Sequence, residues 1–220
     1  MTQSLSVQAG ELVLKGTLTY PRNAQGIVVF GLENNQAFLD FQNQFIARSL
    51  NHDGLATLLL DLLTSAEESV NRSPRHLQLD SFSLAYRLIR ATDWVQQFFT
   101  TPVLNIGYFE SGDRATAAMI AASERPHLVK AVVSRGRHPD LGGMALSTVT
   151  APTLLIAGGN DQESIQFNQN AFNALSAIKQ LEIIPGTAHQ FRGRNALKQL
   201  TQLTCQWFQR YLNPNHEAVF

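Results

Sequence analysis

Val103-Leu104-Asn105-Ile106-Gly107-Tyr108-Phe109-Glu110-Ser111-Gly112-Asp113-Arg114 runs without a break into Ala115-Thr116-Ala117-Ala118-Met119-Ile120-Ala121-Ala122. An apolar run ends in a tight polar turn, and an alanine-rich helical run follows at once. Strand, sharp turn and helix in that order form the frame of a nucleophile elbow, which lifts a serine or cysteine off the end of a strand. Such an elbow keeps small residues two places before and two places after the nucleophile, because bulky side chains there meet the neighbouring strand and helix. The frame is here, but neither Gly-x-Ser-x-Gly nor Gly-x-Cys-x-Gly occurs in the chain.

The segments on either side repeat an alternation of strand and helix. Upstream, Leu12, Leu14 and Thr17–Tyr20 around Lys15-Gly16 read as short antiparallel strands, and Gly26–Gly31 and Ala56–Asp61 as buried strands. Between them Phe38, Phe41, Phe45, Ile46, Ser49 and Leu50 recur at helical spacing up to Asn51-His52-Asp53-Gly54. A polar loop from Thr64 to about Gln78 reads as the rim of a site or as a disordered stretch. Asp80 or Ser81 then caps a helix striped by Leu84, Ala85, Leu88, Ala91, Thr92, Val95 and Phe98. Downstream, Val129–Ser134 and Thr153–Gly159 read as buried strands, Ser164–Ala177 as a helix, Leu181–Ile184 as a strand, and Leu197 to Tyr211 as a striped helix. The spacing predicts one α/β domain over 1–220 with a mainly parallel sheet covered on both faces, and flexible ends at 1–9 and 213–220.

Composition narrows the function classes. The 220 residues are 44% hydrophobic, enough for one sizeable core, and 17 basic residues balance 17 acidic ones. Near-zero net charge gives no reason to expect nucleic acid or an anionic membrane as partner. Cys205 stands alone, so no intramolecular disulfide forms and no cysteine-rich metal site is expected. No basic start with an apolar stretch opens the chain, and the longest apolar run, Leu58–Leu63, is interrupted by Asp61. A soluble cytoplasmic protein without cofactor or metal is the expectation, with a small molecule as partner and a homo-oligomer left open.

In an open parallel sheet, ligands bind beyond the carboxyl ends of the strands. Three such ends carry chemistry: the turn Glu110–Arg114, then Asp161, then His189. A histidine takes the nucleophile's proton and an acid holds its tautomer, so the order turn, acid, histidine points to a catalytic triad. A direct hydrogen bond between the Asp161 carboxylate and an imidazole nitrogen of His189, at about 2.6–3.2 Å, is the expectation.

Several longer stretches resemble the dienelactone hydrolase-like branch of the α/β-hydrolases. They are Leu55–Thr64, Ala91-Thr92-Asp93-Trp94, Ala131–Gly136, Ala151–Asp161 and Ile184–His189, and the resemblance covers Leu14 to Leu212. It implies an α/β-hydrolase fold, an ester or lactone hydrolase ancestry, and roles for Asp161 as acid and His189 as base. Relatives write the elbow Gly-Tyr-Phe-Gly-Ala-Ser-Thr-Gly. With Gly107-Tyr108-Phe109 setting the register, the nucleophile position falls on Gly112 and the small flanks on Glu110 and Arg114. Ser111 sits one place early. The family's His-Gly-Ser-Gly-like oxyanion loop reads Gly31-Leu32-Glu33-Asn34-Asn35-Gln36 here.

Bulky flanks predict a distorted turn, with Arg114 swung outward. Asp113 reads as the helix N-cap, and Glu110 as a structural partner of Arg114 or Arg135 or as a ligand contact. Arg135, Arg137 and His138 read as a solvated loop, and Cys205 as an unremarkable thiol. Three functions stand open. The first is a degenerate hydrolase, a pseudoenzyme that binds a small molecule in the old pocket. The second is a working hydrolase using Ser111 or a water activated by His189 and Asp161. The third is a protein-interaction module. A lone Gly112→Ser substitution is expected to restore little rate, since flanks and oxyanion loop would remain wrong.

Overall fold

The computed structural model describes residues 1–32, 40–67, 79–99, 103–136 and 143–213. The strands are β1 (Thr2–Ala9), β2 (Leu12–Thr19), β3 (Gly26–Leu32), β4 (Ala56–Asp61), β5 (Asn105–Ser111), β6 (Val129–Arg135), β7 (Thr153–Gly158) and β8 (Lys179–Ile184). The helices are α1 (Phe41–His52), α2 (Ser81–Phe98), α3 (Asp113–Glu124), α4 (Met144–Thr148), α5 (Gln162–Ala174) and α6 (Arg194–Leu212). Among the described residues one eight-stranded sheet runs β1-β2-β4-β3-β5-β6-β7-β8. The β1/β2 and β2/β4 pairs are antiparallel, and every later pair is parallel.

Strands β3, β4 and β7 are buried along their whole length, as the unbroken apolar runs require of strands covered on both faces. Among the described residues two apolar cores result. One joins Ala85, Leu88 and Ala91 of α2 and Ala117, Ala118 and Ala121 of α3 to Val29, Leu58 and Tyr108. The other joins Ile46 and Leu50 of α1 and Leu200 and Phe208 of α6 to Val28, Phe30 and Phe109. Each fully buried Leu, Ile or Phe contributes about 1.5–3 kcal/mol by leaving water.

Four expectations need correction. Residues 2–9 are not a flexible end: Thr2–Ala9 pair in register with Leu12–Thr19, which is one continuous strand, and Val7 and Ala9 are fully buried. Phe41 and Phe45 are exposed, and α1 turns Ile46, Ala47 and Leu50 inward. Phe98 is likewise exposed, while Arg87 takes an inward place on α2. The stretch 135–148, which the sequence reads as loop throughout, contains the helix α4 at Met144–Thr148.

Arg87 is buried for a reason. Its Nη1 donates to the Leu62 carbonyl oxygen and to Glu67 Oε2 (2.8 Å), and its Nη2 donates to Glu67 Oε1 (2.6 Å). Glu67 Oε2 also accepts from the backbone and hydroxyl of Thr64, at 2.8 and 2.9 Å. The Arg87 hydrogen bonds, helped by those from Thr64, hold the Glu67 carboxyl down at about 2 against the cost of burial. This bidentate pair anchors the start of the polar loop; Glu68 to Gln78 lie outside the described residues.

Candidate active site

The strand order β4-β3-β5 places a topological switch at the sheet centre, where crevices form beyond the carboxyl ends. Strand β5 runs through Glu110 to Ser111, and α3 starts at Asp113. Gly112 is the N-cap of α3, with φ 61° and ψ −139°. The expected cap, Asp113, is instead the first helical residue; its side chain lies outside the described set. A positive φ with so extended a ψ is a region that L side chains enter only at a cost. Here glycine adopts it freely, and the elbow is a tight one.

The steric expectation is therefore overturned, and the neighbouring strand shows why. Glu110 is 1% exposed, and its carboxylate lies over Gly31 of β3. A Cβ at Gly31 would collide with Glu110 Oε1 and come within 2.8 Å of Leu62 Cδ1. The small residue that makes room stands on the neighbouring strand, so a glutamate fits where a glycine was expected. Arg114 does not swing outward. Its Nη2 donates to Ser111 Oγ at 3.1 Å, and its Nε stands 3.7 Å from Glu110 Oε2.

Of the readings weighed for Glu110, the structure shows the approach to Arg114 and adds a backbone partner that the sequence did not suggest. Its Oε1 accepts the Gly31 N–H at 2.5 Å, and Arg114 supplies the nearby charge. Glu110 Oε2 has no hydrogen bond among the described residues, and neither does the Oγ of fully buried Ser134, its register partner on β6. The contact with Arg114 is an ion pair by distance but too long for a hydrogen bond, so it does not offset desolvation. Burial pushes the Glu110 carboxyl up to about 8, although Arg114, the Gly31 N–H and Arg135 pull the other way. At neutral pH this is mainly a neutral acid.

Asp161 and His189 meet as expected. His189 Nδ1 lies 2.6 Å from Asp161 Oδ2. Asp161 is also the N-cap of α5, where Oδ1 accepts the Ser164 N–H at 3.0 Å, so one carboxylate starts a helix and orients the imidazole. The histidine turn is braced from below. A Cβ at Gly158 would lie 2.5 Å from the Ala188 carbonyl oxygen, so only glycine lets the turn sit this close to β7. Ser164 Oγ and Asn168 Nδ2 both donate to the Gly136 carbonyl oxygen at the end of β6, at 2.9 and 2.6 Å. A Cβ at Gly136 would lie 3.7 Å from His189 Cβ.

Arg135 corrects a further expectation. It ends β6, is 8% exposed, and is no part of a solvated loop; Arg137 and His138 lie outside the described residues. Its guanidinium donates to Gln42 Oε1 (2.8 Å) and Asn43 Oδ1 (3.2 Å) and stands over the Phe109 ring. Burial draws its pKa down to about 10, which leaves it charged at neutral pH. Gln42 Nε2 in turn donates to the carbonyl oxygens of Gln190 and Phe191, at 3.0 and 3.1 Å. Gln42 thus ties the turn after His189 to β6. Sequence reading missed it, because the phenylalanine spacing drew attention to the outer face of α1.

The oxyanion positions are only partly visible. Gly31 gives its N–H to Glu110, and Leu32, 3% exposed, gives its carbonyl oxygen to the Leu62 N–H at 2.8 Å. Glu33 lies outside the described residues. Cys205 is buried in the α6 core, and burial with nearby Asp53 pushes its thiol up to about 12, as befits an inert thiol. Among the described residues no three of His, Cys, Asp and Glu cluster as a metal site, and no helix is long and apolar enough to cross a membrane.

No protein-family model matches the chain. Two curated proteins from strains of Mycobacterium tuberculosis, provisionally named phosphoribosyl transferases, are 40% identical over 206 residues. That stretch is 94% of this chain and 46% of theirs, so the chain spans about half the length of the curated relatives it matches. The crystal structure of an Anabaena variabilis dienelactone hydrolase superposes with a TM-score of 0.91 at 44% identity, over 96% of this chain and 98% of that one. A lidless α/β serine hydrolase from Xanthomonas campestris shares the fold at a TM-score of 0.72 and 17% identity, over 96% of this chain and 95% of that one. With 44% identity to the Anabaena variabilis protein over nearly all of both chains, and the parallel sheet, elbow and Asp161–His189 pair in place, this chain belongs to the dienelactone hydrolase-like branch of the α/β-hydrolases.

Proposed function

We propose that this protein has given up covalent acyl transfer and uses the old active-site crevice to bind a small molecule. One observation carries the reading: the elbow is well formed, yet the residue at its apex is Gly112. Loss of the nucleophile alone removes orders of magnitude of rate from such a unit. Neighbouring groups do not replace it. Ser111 stands one residue before the apex, where its Oγ accepts from Arg114, and Glu110 is buried with Oε1 on the Gly31 N–H. That same N–H is unavailable to a developing oxyanion at the end of β3.

The phosphoribosyl transferase name belongs to proteins of which this chain matches less than half, and we assign that activity to no residue here. A working hydrolase is the second reading, favoured by the 2.6 Å Asp161–His189 contact, which would suit a general base acting on water. Turnover separates the two. In buffer, activated esters and lactones should be hydrolysed no faster by the wild type than by His189→Ala. Wild-type turnover that falls about a hundredfold or more on removal of His189 would establish the second reading instead.

A further inference from the structure

We infer that Gly112, facing the Asp161–His189 pair, forms a socket for a hydroxyl group carried by the ligand, which takes the place a serine hydroxyl would take. The inference rests on the reading of the crevice as a ligand site without its own nucleophile, and names the chemical class of the ligand: a small molecule with an unhindered alcohol.

Four observations converge on it. First, the backbone at Gly112 is that of an elbow apex, and apart from its two chain neighbours no heavy atom of the described residues lies within 4 Å of the position its Cβ would occupy. Second, His189 is next door. Ser111 pairs with Arg135 across β5 and β6, about 4.8 Å apart as neighbouring strands are, and Gly136, the next residue, backs onto His189. Third, the Nδ1 contact to Asp161 fixes the imidazole, and Nε2 is the ring nitrogen left for a ligand. Fourth, two oxygens on the strand that leads into the apex already accept hydrogen bonds: Ser111 Oγ from Arg114 and Glu110 Oε1 from the Gly31 N–H. An alcohol with a bare CH2 or CH3 would bury that carbon against Gly112 Cα and present its oxygen to His189. Water has no such carbon to anchor it, so it occupies the socket without being aimed.

Methanol is the probe, because it differs from a serine side chain only by the hydrogen that replaces the bond to Cα. With p-nitrophenyl acetate the step balances as a transesterification. The methanol proton passes to His189 Nε2, and the methanol oxygen bonds to the acetyl carbon. The bond to p-nitrophenolate breaks, and His189 returns its proton to the leaving oxygen or to solvent. Methyl acetate and p-nitrophenol are the products.

The purified full chain is assayed with rising methanol, and with tert-butanol at the same volume fraction as the solvent control. The expected result is p-nitrophenol release with matching methyl acetate, at least about tenfold above the protein-free rate. Tert-butanol should give no acceleration, and neither should His189→Gln in methanol; general-base catalysis is of this scale or larger. Gly112→Ala should also abolish the effect by filling the socket, with circular dichroism confirming that it folds despite the positive φ. No methanol effect in the wild type, or an equal one in His189→Gln, would overturn the inference while leaving the ligand-binding reading intact. Fast His189-dependent hydrolysis without any alcohol would overturn both.

Discussion

Replacing Glu110 by glutamine is expected to make the protein more stable at pH 9 and to leave it nearly unchanged at pH 5. The Glu110 carboxyl is buried and raised to about 8, chiefly by desolvation. In the unfolded chain it titrates near the ordinary 4.5. The folded state therefore holds a proton that the unfolded state has lost, and stability falls as pH rises from about 4.5 to about 8, then levels. At about 1.4 kcal/mol per pKa unit, the loss across that window is a few kcal/mol, or roughly 10 °C in melting temperature for a chain of this size. Glutamine keeps the shape and the acceptor for the Gly31 N–H and has no charge to desolvate. Thermal melts of both proteins at pH 5, 7 and 9 should converge at the acid end and separate at the alkaline end. A glutamine variant less stable than the wild type at pH 9 would mean that Arg114 and Arg135 hold Glu110 as a paired carboxylate.

Gly112→Ser is expected to lose about 1–3 kcal/mol of stability, the usual cost of an L side chain in this backbone region. In exchange it should gain a hydroxyl that a fluorophosphonate labels. The elbow already has its apex conformation and the Asp161–His189 pair is assembled, so on the proposed reading a hydroxyl at the apex is the one piece to be added. Labelling should be at least about a hundredfold slower in Gly112→Ser with His189→Ala, since the base acts on that hydroxyl. Ester turnover should stay low, because Glu110 still holds the Gly31 N–H. A folded Gly112→Ser protein that resists labelling would contradict this account of the elbow.

The alternation of apolar runs and striped helices made the layered sheet legible, because burial on both faces writes itself as continuous apolar strands. The meeting of Asp161 and His189 was legible too, since both close strands at the same edge. The elbow was misread for a spatial reason. Glu110 and Gly31 are 79 residues apart, and nothing local announces that a missing side chain on β3 makes room for an extra one on β5. Gln42, Arg87 and Arg135 were missed in the same way. Arg87 and Arg135 are buried and Gln42 half-buried, each held by partners from another element, and sequence spacing ranks such residues as solvated. The strand at Thr2–Ala9 escaped because its alternation of polar and apolar residues marks an edge strand with only one buried face.

The central claim is that this member of a hydrolase family forms no acyl-enzyme. Intact-mass spectrometry of the wild-type protein after incubation with a fluorophosphonate tests it most directly. The account predicts an unchanged mass, with Gly112→Ser run alongside as the form expected to gain one adduct. A stoichiometric adduct on the wild type that maps to Ser111 would contradict it.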